Sequence, residues 1–156
     1  LATKRDFSPG KHRENMRNCY EGLLGEGIIP IANEDDAVSL SMSMFTDNDE
    51  LASLVAGLID ADLMILLTDT DGLFTGHPDD EGSELIPHVK VDQKVEKYIQ
   101  ESTKAEGEGR GGMESKLEVA KSTAAKHIPT FIANGKRPGI ILDIVSGKQV
   151  GTMVTI

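Results

Sequence analysis

The chain has 156 residues, 38% hydrophobic and 27% charged, which is the composition of a globular protein with a sizeable core. A net charge of −10 repels a phosphate backbone and argues against nucleic acid as the main partner. The single cysteine, Cys19, excludes an internal disulfide and points to a reducing, cytoplasmic setting, and no apolar run approaches the ~20 residues that cross a bilayer.

From the start of the chain, a methionine-free, charged stretch leads to the expectation that further residues precede Leu1. Ser8-Pro9 then suits a helix start, and Met16, Cys19, Tyr20, Leu23 and Leu24 follow at helical spacing until Gly25 or Gly27. On that face Cys19 is expected to be a buried, inert thiol. Ile28-Ile29-Pro30-Ile31-Ala32 reads as a short buried strand that runs into Asn33-Glu34-Asp35-Asp36. Leu40, Met42 and Met44 alternate with polar residues, as in a half-exposed strand. Asp47 with Glu50 resembles a capping box, and Leu51, Leu54, Val55, Leu58 and Ile59 give the helix that follows an apolar stripe.

Residues 63–67 are an unbroken apolar run, as in a strand buried on both faces of a parallel sheet, and they stop abruptly at Thr68-Asp69-Thr70-Asp71-Gly72. Ligands of open parallel sheets bind beyond the carboxyl ends of the strands, so this exit is a candidate site. An ordinary Asp-Gly turn accounts for the same residues taken alone. Leu85-Ile86-Pro87 suits an edge segment, and residues 91–99 a short helix with Val95, Tyr98 and Ile99 inward. Residues 101–112 are glycine-rich and charged, and Gly111-Gly112-Met113 feeds a strong helix former that extends to about His127. Glycine N–H groups at a helix start can hold an anion, and Lys116 in the first turn adds a charge that runs against the helix dipole. A plain linker fits those glycines equally well. Pro129-Thr130-Phe131-Ile132-Ala133 is a strand ending at Asn134-Gly135, Pro138 opens a short helix stopped by Gly147, and residues 150–156 close the chain as a strand. With no repeat and no low-complexity linker, residues 1–156 read as one α/β domain with a mainly parallel sheet.

Four stretches together resemble the amino acid kinase family: Asn33-Glu34-Asp35-Asp36-Ala37-Val38, Asp47-Asn48-Asp49-Glu50-Leu51-Ala52, Thr68-Asp69-Thr70-Asp71-Gly72-Leu73-Phe74-Thr75 and Gly111-Gly112-Met113-Glu114-Ser115-Lys116. The first two are most like the members that phosphorylate glutamate at the start of proline synthesis. The resemblance implies a three-layer αβα sandwich of which these residues are the C-terminal, nucleotide-binding part. The family's N-terminal strands, with their lysine and phosphate loop, have no counterpart here, and neither does the PUA domain of many bacterial members. It implies ATP and Mg²⁺ as cofactors and L-glutamate as substrate, phosphorylated on its γ-carboxylate, with no protein ligand set for the metal. Partners implied are further copies of the chain, as a homo-oligomer, and the downstream glutamyl phosphate reductase.

Residue by residue, the resemblance assigns Asp36 and Asn48 to glutamate, and Asp49 to organising the reacting centre by holding lysines. It assigns Thr68 and Asp69 to the nucleotide, Gly111, Gly112 and Met113 to its phosphates, and Lys116 to the phosphoryl group in transfer. His77 stands before Pro78 where the family usually has Asp. Two rivals remain: another member acting on uridylate or acetylglutamate, and a non-catalytic nucleotide-binding regulatory module.

Overall fold

The computed structural model describes residues 4–34, 47–95 and 112–156, and the expected strand around Leu40, Met42 and Met44 lies outside them. The chain divides into two compact units, Leu1–Ala61 and Asp62–Ile156.

In the first unit a 3-10 turn, Lys4–Phe7, precedes helix α1, Lys11–Gly25, which starts after Gly10 and not at Pro9. Helix α2 spans Asn48–Leu58. Arg13 donates to the Gly57 carbonyl (3.0 Å) and Arg17 pairs with Asp60, so one side of α1 is tied to the end of α2. Met16, Tyr20 and Leu23 are half-buried, whereas Cys19 is exposed, contrary to expectation. Adjacent helical residues diverge by about 100°, and Cys19 falls outside the sector that carries Arg13, Arg17 and Tyr20. Burial, and secondarily the neighbouring Cys19, raise the Tyr20 hydroxyl above its ordinary value. Residues 28–32 form no strand. Ile29 is 82% and Ile31 94% exposed, and no described strand takes up their backbone groups.

Helix α2 keeps its expected cap, but Ser53 and Ala56 are buried beside Leu51 and Leu58, while Leu54, Val55 and Ile59 of the expected stripe are only half-buried. Asp47 is its N-cap, with Oδ1 accepting from the Glu50 N–H at 2.9 Å. Asp60, at φ 50°, ends the element in the left-handed region.

The second unit holds a four-stranded sheet of β1 (Met64–Thr68), β2 (His88–Lys90), β3 (Thr130–Asn134) and β4 (Thr152–Thr155), in the order β1-β3-β4-β2. Two of its three pairings are parallel, β1 with β3 and β2 with β4, and β3 and β4 run antiparallel. β2 begins at His88, just beyond the expected edge segment, and of that segment Leu85 makes an isolated bridge to Phe74. Residues 91–95 are a turn and irregular chain, with Val95 buried, so no helix starts at Val91; Tyr98 and Ile99 lie outside the described residues.

Strand alternation sends Ile65, Phe131 and Ala133 to one face, where Ile140 and Ile144 of the short helix α4, Ile140–Val145, pack on them. The other face carries buried Met64, Leu66, Ile132 and Val154. Helix α3, Met113–Ala124, packs on β1, β3 and β4 with Leu117, Ala120 and Ala124 buried. It ends three residues short of the expected His127, which takes φ 66° in the turn that follows. This unit is therefore helix on sheet on helix, the α/β layering expected.

Candidate functional site

β1 and β3 are parallel and aligned Thr68 to Asn134, so both carboxyl ends open on the same edge of the sheet. Beyond that edge the exits are laced together. The Gly135 N–H donates to the Thr68 carbonyl (2.8 Å), and the Lys136 N–H donates to Asn134 Oδ1 (2.9 Å). Asn134 Nδ2 in turn donates to Asp71 Oδ1 (2.9 Å), fixing one carboxylate of the loop. Thr68 Oγ1 donates to Asp69 Oδ1 (3.3 Å), and Asp69 and Asp71 both stay exposed.

Helix α3 runs along the sheet that carries these exits. Its last turn leads through residues 125–129 into the first residue of β3, and it packs along β1, β3 and β4. Twelve helical residues rise about 18 Å and five strand residues about 17 Å, so the first turn of α3 is carried back toward the end where Thr68 and Asn134 leave the sheet. Gly112 is its N-cap and makes no side-chain capping bond, and Met113, Glu114 and Lys116 follow in the first turn. Element lengths therefore direct Gly112, Met113 and Lys116 toward the end of the sheet that carries Thr68 and Asp69; Gly111 lies outside the described residues. A polar strand exit and a helix start with glycine at its N-cap each suit a phosphate-bearing ligand.

The turn after Asp71 is buttressed from below. Gly72 (φ 148°) passes so close to β4 that a Cβ there would lie 2.7 Å from Thr152 Oγ1 and 3.0 Å from its backbone nitrogen. Beside it, Gly151 (φ 72°) brings the chain within 2.5 Å of the Ile132 carbonyl, measured from a Cβ it does not have. On the α4 side, Asp143 accepts from Lys148 (2.6 Å) and Arg137 (3.4 Å), and chiefly the Lys148 bond holds its carboxyl below the ordinary range.

In the first unit the two acidic stretches meet. Asn48 Oδ1 accepts from the Glu34 N–H at 2.9 Å, bringing residues 33–34 to the first turn of α2. Asp47 caps that turn, Asp49 is half-buried within it, and Asp36 lies outside the described residues. Among the described residues no group of three or more His, Cys, Asp or Glu side chains is arranged to hold a metal ion. His77 sits in the turn after Phe74, its Nδ1 accepting from the Asp79 N–H at 3.3 Å.

Sequence reasoning missed Asn134, Lys136 and Thr152. The first two carried a signal, a polar stop to an apolar strand like that at Thr68; Thr152 carried none, because its role depends on what reaches it.

A model of the amino acid kinase family matches residues 1–134. Among curated proteins, the chain is 43% identical over 145 residues to a glutamate 5-kinase of Bacteroides thetaiotaomicron, covering 93% of this chain and 40% of that protein. It is 41% identical over 153 residues to a glutamate 5-kinase of Chlorobaculum tepidum, covering 97% and 41%. The chain thus spans about two fifths of the length of these relatives. Among solved structures it superposes on the UMP kinase of Bacillus anthracis with a TM-score of 0.61 at 18% identity, covering 89% of this chain and 50% of that one. The isopentenyl phosphate kinase of T. acidophilum gives 0.60 at 19%, covering 86% and 52%. At such identities the likeness is one of fold.

Proposed function

Because the chain belongs to the amino acid kinase family, we propose that it serves ATP-dependent phosphorylation of the γ-carboxylate of L-glutamate, yielding glutamyl 5-phosphate for proline synthesis. In this reading residues 1–156 supply the nucleotide-binding part of the kinase domain. The supporting observation is the edge where the exits of β1 and β3 adjoin, toward which element lengths direct the start of α3. The choice of glutamate rests on the relatives, which are glutamate 5-kinases.

Thr68 and Asp69 contact the nucleotide, the N–H groups at Gly111, Gly112 and Met113 take its phosphates, and Lys116 meets the phosphoryl group in transfer. Asp36 and Asn48 hold glutamate, and Asp49 orders the reacting centre. Phosphoryl transfer asks a protein mainly for positioning and charge stabilisation. The acceptor carboxylate is ionised near neutral pH, so no general base is needed. When bound, MgATP supplies the phosphoryl group and neutralises part of its charge. The donor set fits this mode: exposed Asp69 and Asp71 offer single carboxylates, which suits an ion carried largely by phosphate oxygens.

We also place the protein in the cytoplasm as a homo-oligomer that passes its labile acyl phosphate to glutamyl phosphate reductase. The deciding assay supplies the intact protein with ATP, Mg²⁺ and glutamate and traps acyl phosphate with hydroxylamine. Glutamate-dependent hydroxamate is expected. Turnover only with uridylate or acetylglutamate would replace the substrate, and nucleotide binding without turnover would make the protein a regulatory module.

A further inference from the structure

We propose that Thr152 is a positioning residue for the nucleotide loop: its buried hydroxyl ties the far end of residues 69–72 to the sheet. The inference rests on the proposed nucleotide role of Thr68 and Asp69.

Thr152 has no exposed surface. Its Oγ1 accepts from the Leu73 N–H at 2.8 Å and donates to the Ile86 carbonyl at 2.7 Å, which uses its one proton. Leu73 and Ile86 face each other at the root of a hairpin. The Ile86 N–H donates to the Leu73 carbonyl (2.7 Å), and further out the Thr75 N–H donates to the Glu84 carbonyl (2.9 Å). One hydroxyl therefore holds both arms where they leave the sheet. The loop before them is anchored at its start by Thr68, in register with Asn134, and midway by the bond from Asn134 to Asp71. Thr152 supplies the anchor at its end.

The hydroxyl is itself held in place. β4 pairs Thr152 with Ile132 of β3, and Gly151 seats the chain against the Ile132 carbonyl. Gly72 fits against Thr152 only because it has no side chain. Valine would fill the volume of Thr152 but neither accept from Leu73 nor donate to Ile86, leaving a buried N–H without a partner. The loop would then sample other conformations, and apparent nucleotide affinity falls with the fraction that remains competent. Serine keeps both bonds.

The test is equilibrium binding of a non-hydrolysable ATP analogue with Mg²⁺ to the intact protein, alongside amide exchange at Leu73. Thr152→Val should weaken binding by about tenfold, through a competent fraction near one tenth, and should speed Leu73 exchange. Thr152→Ser should bind within about threefold of wild type and keep the amide slow. At saturating ATP, the Val variant should recover most of its kcat, so the loss falls on KM for ATP. Nucleotide binding unchanged by Thr152→Val overturns this inference alone, whereas no binding by the wild type overturns the proposed function and this inference with it. Should the Val variant fail to fold, the wild type and Thr152→Ser still decide, because fast exchange at Leu73 in either refutes the tie.

Discussion

Lys116 sits in the first turn of α3, where a cation opposes the helix dipole and gains nothing from it locally. Under the proposed function its charge meets phosphate in the transition state, which gives a reason to keep it there. Lys116→Ala is expected to lower kcat of the intact protein by on the order of 10²–10³ while changing KM for glutamate little; steady-state kinetics with both substrates varied checks this. Asn48 makes the opposite prediction. Asn48→Ala, like Asp36→Ala, should raise KM for glutamate tenfold or more, a loss of about 1.4 kcal/mol or above, and leave nucleotide affinity within about twofold by calorimetry. Thr68, Asp69 and Lys116 stood out in the sequence because each stands at a local break, an apolar strand stopping at polar groups or a lysine where a helix disfavours one; the roles proposed for them follow from the family resemblance. Asn134 and Thr152 were harder to read. Their partners, Asp71 and Leu73, are 63 and 79 residues away in sequence, so only the strand register discloses the pairing.

Elements whose pattern is self-sufficient came through best. α2 carries its own cap, β1 and β3 are apolar runs with polar stops, and α4 stops before Gly147 as expected, although it starts after Gly139 (φ 78°) and not at Pro138. Asp47→Ala is expected to cost about 1 kcal/mol of stability by removing the bond to the Glu50 N–H, measured as a denaturation midpoint with an unchanged slope; Asp47→Ser should restore most of it. Elements that depend on a neighbour were misread. Residues 28–32 have strand composition, but β-propensity describes fit to a pleated, half-buried surface, and no described strand offers Ile29 and Ile31 one. Cys19 was misjudged because a loose helical stripe does not say which edge of it is covered. The α4 end is closed by Asp143 with Lys148 and Arg137, and this contribution has a definite pH sense. It is present above the ordinary carboxylate range and disappears as acidification passes the lowered value of Asp143.

In the second unit the layering and the mainly parallel sense of the sheet were legible, and its one antiparallel pairing was not. Helices alternating with apolar strands announce an α/β sheet, whereas the antiparallel β3–β4 step depends on how Gly151 returns the chain to the exit end of β3. The order β1-β3-β4-β2 has a consequence for how the protein is made. Among the described residues the neighbour of β2 in the sheet is β4, which leaves the ribosome about 60 residues later. At about 5–20 residues per second this is a wait of roughly 3–12 s. During it, His88, Val89 and Lys90 lack the strand partner they have among the described residues. Nascent chains stalled short of Thr152 should therefore be cut by protease near residues 86–92, and chains stalled far enough beyond Thr155 to clear the exit tunnel should resist. Equal resistance in both would mean that β2 finds shelter before its partner exists. Among the described strands β4 is the one that joins β3 to β2, and its arrival also delivers the Thr152 hydroxyl to a loop synthesised about 80 residues earlier.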